Sequence, residues 1–289
     1  TTAAAGAVTV NSASTTATGA KTQGAITVDG GTVITVNQTA ANLANTGTAT
    51  TAGAVDINGN ASTTTVTVTD TAAQTGVTAT VNVVGTSGRV NGAVAIDDLQ
   101  AASTTVAGTI ATVTVDSGAA VTVNSGALTT LNASGTMTTL DAGTLGALTT
   151  AANTTLALNL TGLTTSGAVT IDADITTLNV ASTTNDSTIA SLVASGATTV
   201  NVSGDKLVTL TADTLTAVTA INVTNTAGAS FGTAIGTAVV FTGGAGADTV
   251  TTSTTAQAGV VNAGAGTDTL ILNASVDLDT TAEGAIYTG

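Results

Sequence analysis

The chain has 289 residues, 17 acidic and 3 basic, with a formal net charge of −14 and no His, Cys, Pro or Trp. This composition excludes a disulfide framework and thiolate metal sites, and it leaves Ser and Thr hydroxyls with no base placed to activate them. The acidic balance opposes nucleic acid, because only Lys21, Arg89 and Lys206 could meet a phosphate. Apolar content of 43% against 7% charged residues argues against disorder. No stretch approaches the roughly 18–20 apolar residues of a membrane span, so no membrane insertion is expected.

In chain order, the opening "TTAAAGAVTV" has neither Met nor a basic n-region. The chain therefore reads as part of a longer protein. One phrase then recurs: apolar, x, apolar, Asn or Asp. It stands at 8–11 (VTVN), 26–29 (ITVD), 34–37 (ITVN), 55–58 (VDIN), 94–97 (VAID), 113–116 (VTVD), 121–124 (VTVN), 169–172 (VTID) and, varied, at 220–223 (AINV). Alternation with β-branched residues predicts short strands, and helical spacing is hardly seen. Residues 38–54 and 145–156 are less regular.

Spacing predicts how the strands stack. Asp116, Asn124, Asn132 and Asp141 lie 8, 8 and 9 apart, and Asn179, Asn201 and Asn222 lie 22 and 21 apart. A coil of 17–22 residues predicts an all-β fold, a parallel β-solenoid or β-roll. The competing fold is an antiparallel sandwich, whose hairpins would favour Asn-Gly; that pair occurs only at 58–59 and 91–92. The recurrent Asn residues serve either as hydrogen-bonded ladders along the stack or as plain turn formers.

"GGAGADTV" at 243–250 breaks the pattern. It meets the nonapeptide G-G-x-G-x-D-x-U-x with Gly243, Gly244, Gly246, Asp248 and Val250. "AGAGTDTL" at 263–270 meets it with Ala263 in the first slot, then Gly264, Gly266, Asp268 and Leu270. In such a repeat the glycine half turns and the apolar residue enters a strand. The Asp and the turn carbonyls offer hard oxygens to Ca²⁺. Twenty residues separate Asp248 from Asp268, close to one coil. Carboxylates one strand spacing apart repel by about 3–4 kcal/mol at an effective dielectric of 20, and a divalent cation between them reverses the sign. The alternative is a pair of glycine turns with the Asp side chain capping the backbone. A residue other than glycine at 263 would be strained if that position needs positive φ. Asp97 and Asp98 either flank a cation or are two solvated loop charges. Asp116, Asp141, Asp172, Asp174 and Asp205 are expected at turns, as turn formers more than ligands.

With these motifs, and with "STTTVTVTDTAA" (62–73), "GRVNGAVAI" (88–96), "STIASLVASGATTVNVSGD" (187–205) and "VVFTGGAGADTV" (239–250), the chain resembles the RTX-type bacterial surface-layer (S-layer) proteins of the Caulobacter type. The resemblance covers most of the chain. It implies a secreted protein of a Gram-negative cell surface, exported by a type I system. Such proteins assemble with bound Ca²⁺ as a homo-oligomeric, typically hexagonal lattice. It further implies an N-terminal helical domain that binds lipopolysaccharide, which nothing here matches. Residues 1–225 would then be a solenoid lattice-forming region and 226–289 RTX-like calcium-binding coils, in one continuous architecture. A structural, non-enzymatic role is expected: carboxylate pairs such as Asp172 and Asp174 lack the aromatic platforms of a glycosidase, the aromatics being Phe231, Phe241 and Tyr287. The alternative is a calcium-dependent adhesin or extracellular filament protein. Ice binding, suggested by Thr65, Thr67 and Thr69, lacks regular spacing elsewhere.

Overall fold

The computed structural model describes residues 3–16, 21–42, 50–74, 89–142, 148, 152–273 and 287–288. Parts of the irregular stretches 38–54 and 145–156, and residues 274–286, lie outside the described residues. Among the described residues there is no helix, and every strand pairing is parallel. The chain is an all-β parallel solenoid, and parallel strands within one coil stack leave no place for sandwich hairpins.

Each coil passes three faces. The first face is one ladder that runs from Val8–Thr16 through Val33–Asn42 and Thr65–Gln74 to the start of Thr112–Asn124. It continues through Thr130–Ala142, Thr155–Thr165, Thr177–Ser182, Thr199–Gly204, Ala220–Val223, Val240–Thr242, Val261–Asn262 and Tyr287–Thr288. It crosses 225/226 with no gap in pairing. The second face stacks Ile26–Asp29, Val55–Asn58, Val94–Asp97, the ends of the two thirteen-residue strands, Ala168–Ile171, Ser191–Val193 and Asp213–Thr214. The third face lies between them in chain order. It starts with two-residue strands such as Lys21–Thr22 and Thr50–Thr51, and it ends with Ser187–Ile189, Val208–Leu210, Ala229–Ala234, Thr249–Thr251 and Thr269–Ile271.

The strict two-residue alternation explains the core. On the first face Ile34, Val66, Val113, Leu131, Leu158, Val180, Val202 and Val223 are register partners in turn, all at most 2% exposed. Each position contributes roughly 1.5–3 kcal/mol of apolar burial. Near the C-terminal end Phe231 and Phe241 meet edge to face with centroids 5.8 Å apart.

Coil length varies more than the spacing predicts. Val113 pairs with Leu131, 18 residues on, whereas Val66 pairs with Val113, 47 residues on. Insertions leave the stack at corners and return to it, so the ladder tolerates them. Where they do not, the corners are tight. A Cβ on Gly53 would overlap the carbonyl of Gly24, and one on Gly92 would overlap that of Gly53.

The recurrent Asn residues stand on strands, not in turns. Asn201 Nδ2 donates to Asn179 Oδ1 at 2.8 Å, and Asn222 Nδ2 donates to Asn201 Oδ1 at 2.9 Å. Asn37 and Asn11 pair likewise, as do Asn159 and Asn132. Thr242 and then Asn262 continue the column of Asn222.

Candidate metal centre

The corner between the first and third faces holds both glycine-aspartate repeats. Thr242 ends a first-face strand and Thr249 begins a third-face strand; Asn262 and Thr269 do the same one coil later. Thr249, Val250 and Thr251 pair with Thr269, Leu270 and Ile271. The repeats therefore stack in phase, with Val250 in the core at 1% exposure.

The two aspartates do different things. Asp248 is buried. Its Oδ1 accepts the Ala229 N–H of the preceding coil at 2.8 Å, and its Oδ2 accepts the Gly244 N–H of its own turn at 3.1 Å. Asp268 is half-buried, and its Oδ1 accepts the Asp248 N–H at 2.9 Å. A line of carboxylate-to-amide bonds thus joins three successive coils. Burial holds the Asp248 carboxyl above its ordinary pKa; the two N–H donors oppose the shift, and the charge of Asp268 adds to it.

The glycines answer close approach between coils. A Cβ on Gly243 would overlap the carbonyl of Ala263, and one on Gly246 would overlap Gly228 N. Neither these two nor Gly244 takes positive φ, whereas Gly264 (φ +88°) and Gly266 (φ +141°) do. The strain feared for Ala263 does not arise, since Ser117 and Thr184 are the only described non-glycine residues at positive φ. A Cβ on Gly264 would overlap the Gly243 and Gly244 carbonyls, and one on Gly266 would overlap the Gly246 carbonyl. The corners of successive coils therefore approach so closely that these positions leave no room for a side chain.

Asp97 and Asp98 do not converge. Asp97 points outward in a ladder that reads Asp29, Asn58, Asp97, Asn124 in register. Asn58 Nδ2 donates to Asp29 at 3.0 Å and Asn124 Nδ2 to Asp97 at 2.5 Å. Alternating acid with amide keeps like charges from facing each other across one strand spacing. Asp98 points inward and is 4% exposed. It accepts from Thr109 N and Ile110 N, both at 2.7 Å, from Gln100 N at 3.1 Å and from Ser125 Oγ at 3.0 Å. Asp98 ties the 98–110 excursion back to the stack.

Of the remaining acids, Asp172 forms the expected turn by accepting Asp174 N at 2.8 Å. Asp116 and Asp141 lie within long strands rather than at turns. Asp186 was not singled out from sequence. It immediately precedes the third-face strand Ser187–Ile189 and accepts Leu207 N from the next coil at 3.0 Å. In the coil before Asp248 the same corner is held by Asn225, fully buried, which accepts from Ala227 N and Gly228 N. The signal for both was their place just after a first-face strand, which no motif marks. Among the described residues no three His, Cys, Asp or Glu side chains group as metal ligands. No family model matches the chain, and no curated protein matches it either. The fold alone sets the class: a three-faced parallel β-solenoid with stacked glycine-aspartate corners.

Proposed function

We propose that the chain is a structural protein of the bacterial cell exterior whose copies assemble, with calcium, into a two-dimensional surface layer. The observation that carries the reading is the in-phase stacking of the two corners, Thr249 on Thr269. That stacking sets the Asp248 and Asp268 carboxylates one coil apart, joined through the Asp248 N–H, on turns built from Gly243, Gly244, Gly246, Gly264 and Gly266. The donors fit a hard cation. Each Asp248 oxygen accepts one N–H and keeps a second lone pair, and a carboxyl held protonation-prone by burial and a neighbouring charge is what a divalent ion relieves. Ca²⁺ would supply positive charge and draw on six to eight oxygens. The chain's own part is to hold the carboxylates one coil apart on turns whose Gly243, Gly246, Gly264 and Gly266 leave no room for a Cβ. Outward Thr and Asn columns on the first face offer largely uncharged surface for symmetric contacts between copies.

A calcium-dependent adhesin stalk or extracellular filament is the second reading, favoured by the length of the first-face ladder. At about 4.8 Å per coil its twelve strands span about 50 Å. Negative-stain microscopy in millimolar calcium, with and without a chelator, separates the readings. Periodic sheets that disperse on chelation are expected. Isolated rods would assign the stalk. Sheets unchanged by chelation would overturn the role of calcium.

A further inference from the structure

One inward column of the second face runs Ile26, Val55, Val94, Val121, Leu140, Val169, Leu192 and then Asp213, each the register partner of the one before. Seven aliphatic residues are followed by an acid at a position whose register faces the core. The next coil does not cover it evenly. Ser230 pairs with Thr249 but Ala234 with Thr251, so the segment between carries two extra residues. This bulge brings Thr233, not a ladder amide, to Asp213. The Asp213 N–H donates to Thr233 Oγ1 at 2.9 Å, and the carboxylate accepts the Thr233 backbone N–H. The second oxygen, Oδ2, is buried and has no hydrogen-bond partner.

Beside it the bulge leaves a cleft of about 300 Å³, with Leu215, Val218, Ile221 and Ile235 forming apolar walls around Asp213 and Thr233. Nothing in the cleft neutralises the acid. None of the three basic residues lines it. Ser191–Val193 below, Ala229–Ala234 above, and residues 214–218 and 235–236 beside it bring no second titratable group. Burial pushes the carboxyl up to about 6, opposed by the Thr233 amide.

We propose that the Asp213 cleft is a binding site for a primary alkylammonium group, with the ammonium against the Asp213 carboxylate where it lines the cleft and the alkyl chain against Leu215, Val218 and Ile235. The chemistry selects this class. A lone carboxylate at the end of an apolar cleft repels anions. It offers one carboxylate where a hard divalent ion needs six to eight oxygens. A neutral alcohol would fill the apolar walls but leave the charge uncompensated. A short amine both compensates the charge of the carboxylate and fills the apolar walls. The same group ends a lysine side chain, so a free amine and a lysine on another protein share the chemistry. The inference does not rest on calcium or on assembly.

The test is methyl NMR of the dispersed chain without added calcium, titrated in parallel with n-butylammonium chloride, n-butanol and Nα-acetyl-lysine N-methylamide. Saturable shifts are expected at Leu215, Val218 and Ile235 with butylammonium, while Val66 and Val68 stay still. Butanol should bind at least about tenfold more weakly, and Asp213→Asn should weaken the amine by a similar factor. Bound amine should also lower the pH at which the Asp213 carboxyl titrates, a readout that mere filling of the cleft would not move. Whether butylammonium or the lysine analogue binds more tightly tells a free amine from a side chain. Equal binding of butanol and butylammonium, or unchanged amine binding in a folded Asp213→Asn chain, would overturn the site. So would calcium displacing the amine from the cleft in competition.

Discussion

At the scale of single residues, the acids of this chain divide by what their oxygens meet. Asp98 meets three backbone N–H groups and a hydroxyl in the core. Asp98→Ala strands the Thr109 and Ile110 amides, and we expect a loss of about 2–4 kcal/mol, read as a shift in the urea midpoint. A midpoint within experimental error of wild type would show that the 98–110 excursion is held by something else. Asp213 behaves oppositely because its charge is poorly met. Its folded pKa of about 6 exceeds the ordinary 3.8, so the folded chain holds the proton more tightly than the unfolded one. That stabilisation is complete below about pH 4 and is lost as pH rises through 6. Asp213→Asn should flatten this part of the stability profile between pH 4 and 7; an unchanged slope would assign it to other acids.

At the scale of elements, each strand is stabilised by its neighbours in the ladder. Asn201 both donates to Asn179 and accepts from Asn222. Asn201→Ala should cost about 1 kcal/mol, and Asn201→Thr should cost less, since Thr242 occupies the same column one coil beyond Asn222. If the two variants unfold at the same denaturant concentration as wild type, the ladder is ornamental. The corners are less forgiving than the strands. Gly53→Ala places a methyl on the Gly24 carbonyl, and separating two coils to relieve it should cost about 1–3 kcal/mol.

At the scale of the whole molecule, a solenoid gains stability coil by coil through nearest-neighbour contacts, while a net charge of −14 works against compaction. The two effects meet at the glycine-aspartate corner. If the corner holds calcium, a hundredfold excess over Kd should add about 2.7 kcal/mol to the folded state, seen as a rise in Tm on adding calcium. In Asp248→Asn combined with Asp268→Asn the calcium response should fall to the level that ionic strength alone produces. An undiminished response in that double variant would place calcium elsewhere on the chain.

Sequence alone determined the class of fold and its axis of repetition. Apolar-polar alternation in Val, Thr and Ile can be read locally, and so can the twenty-residue offset of Asp248 and Asp268, because both depend only on neighbours along the chain. Tertiary structure decided the rest. The third face was not legible, since strands of two or three residues carry no period. Coil lengths of 18 and 47 residues look unrelated until register aligns Val66, Val113 and Leu131. The Asn residues turned out to be rungs, Asp98 a buried clamp and Asp213 an acid in an aliphatic column. Each of those roles depends on which residue of another coil lies 4.8 Å above or below, and that contact is set by the winding of the stack and not by the local pattern.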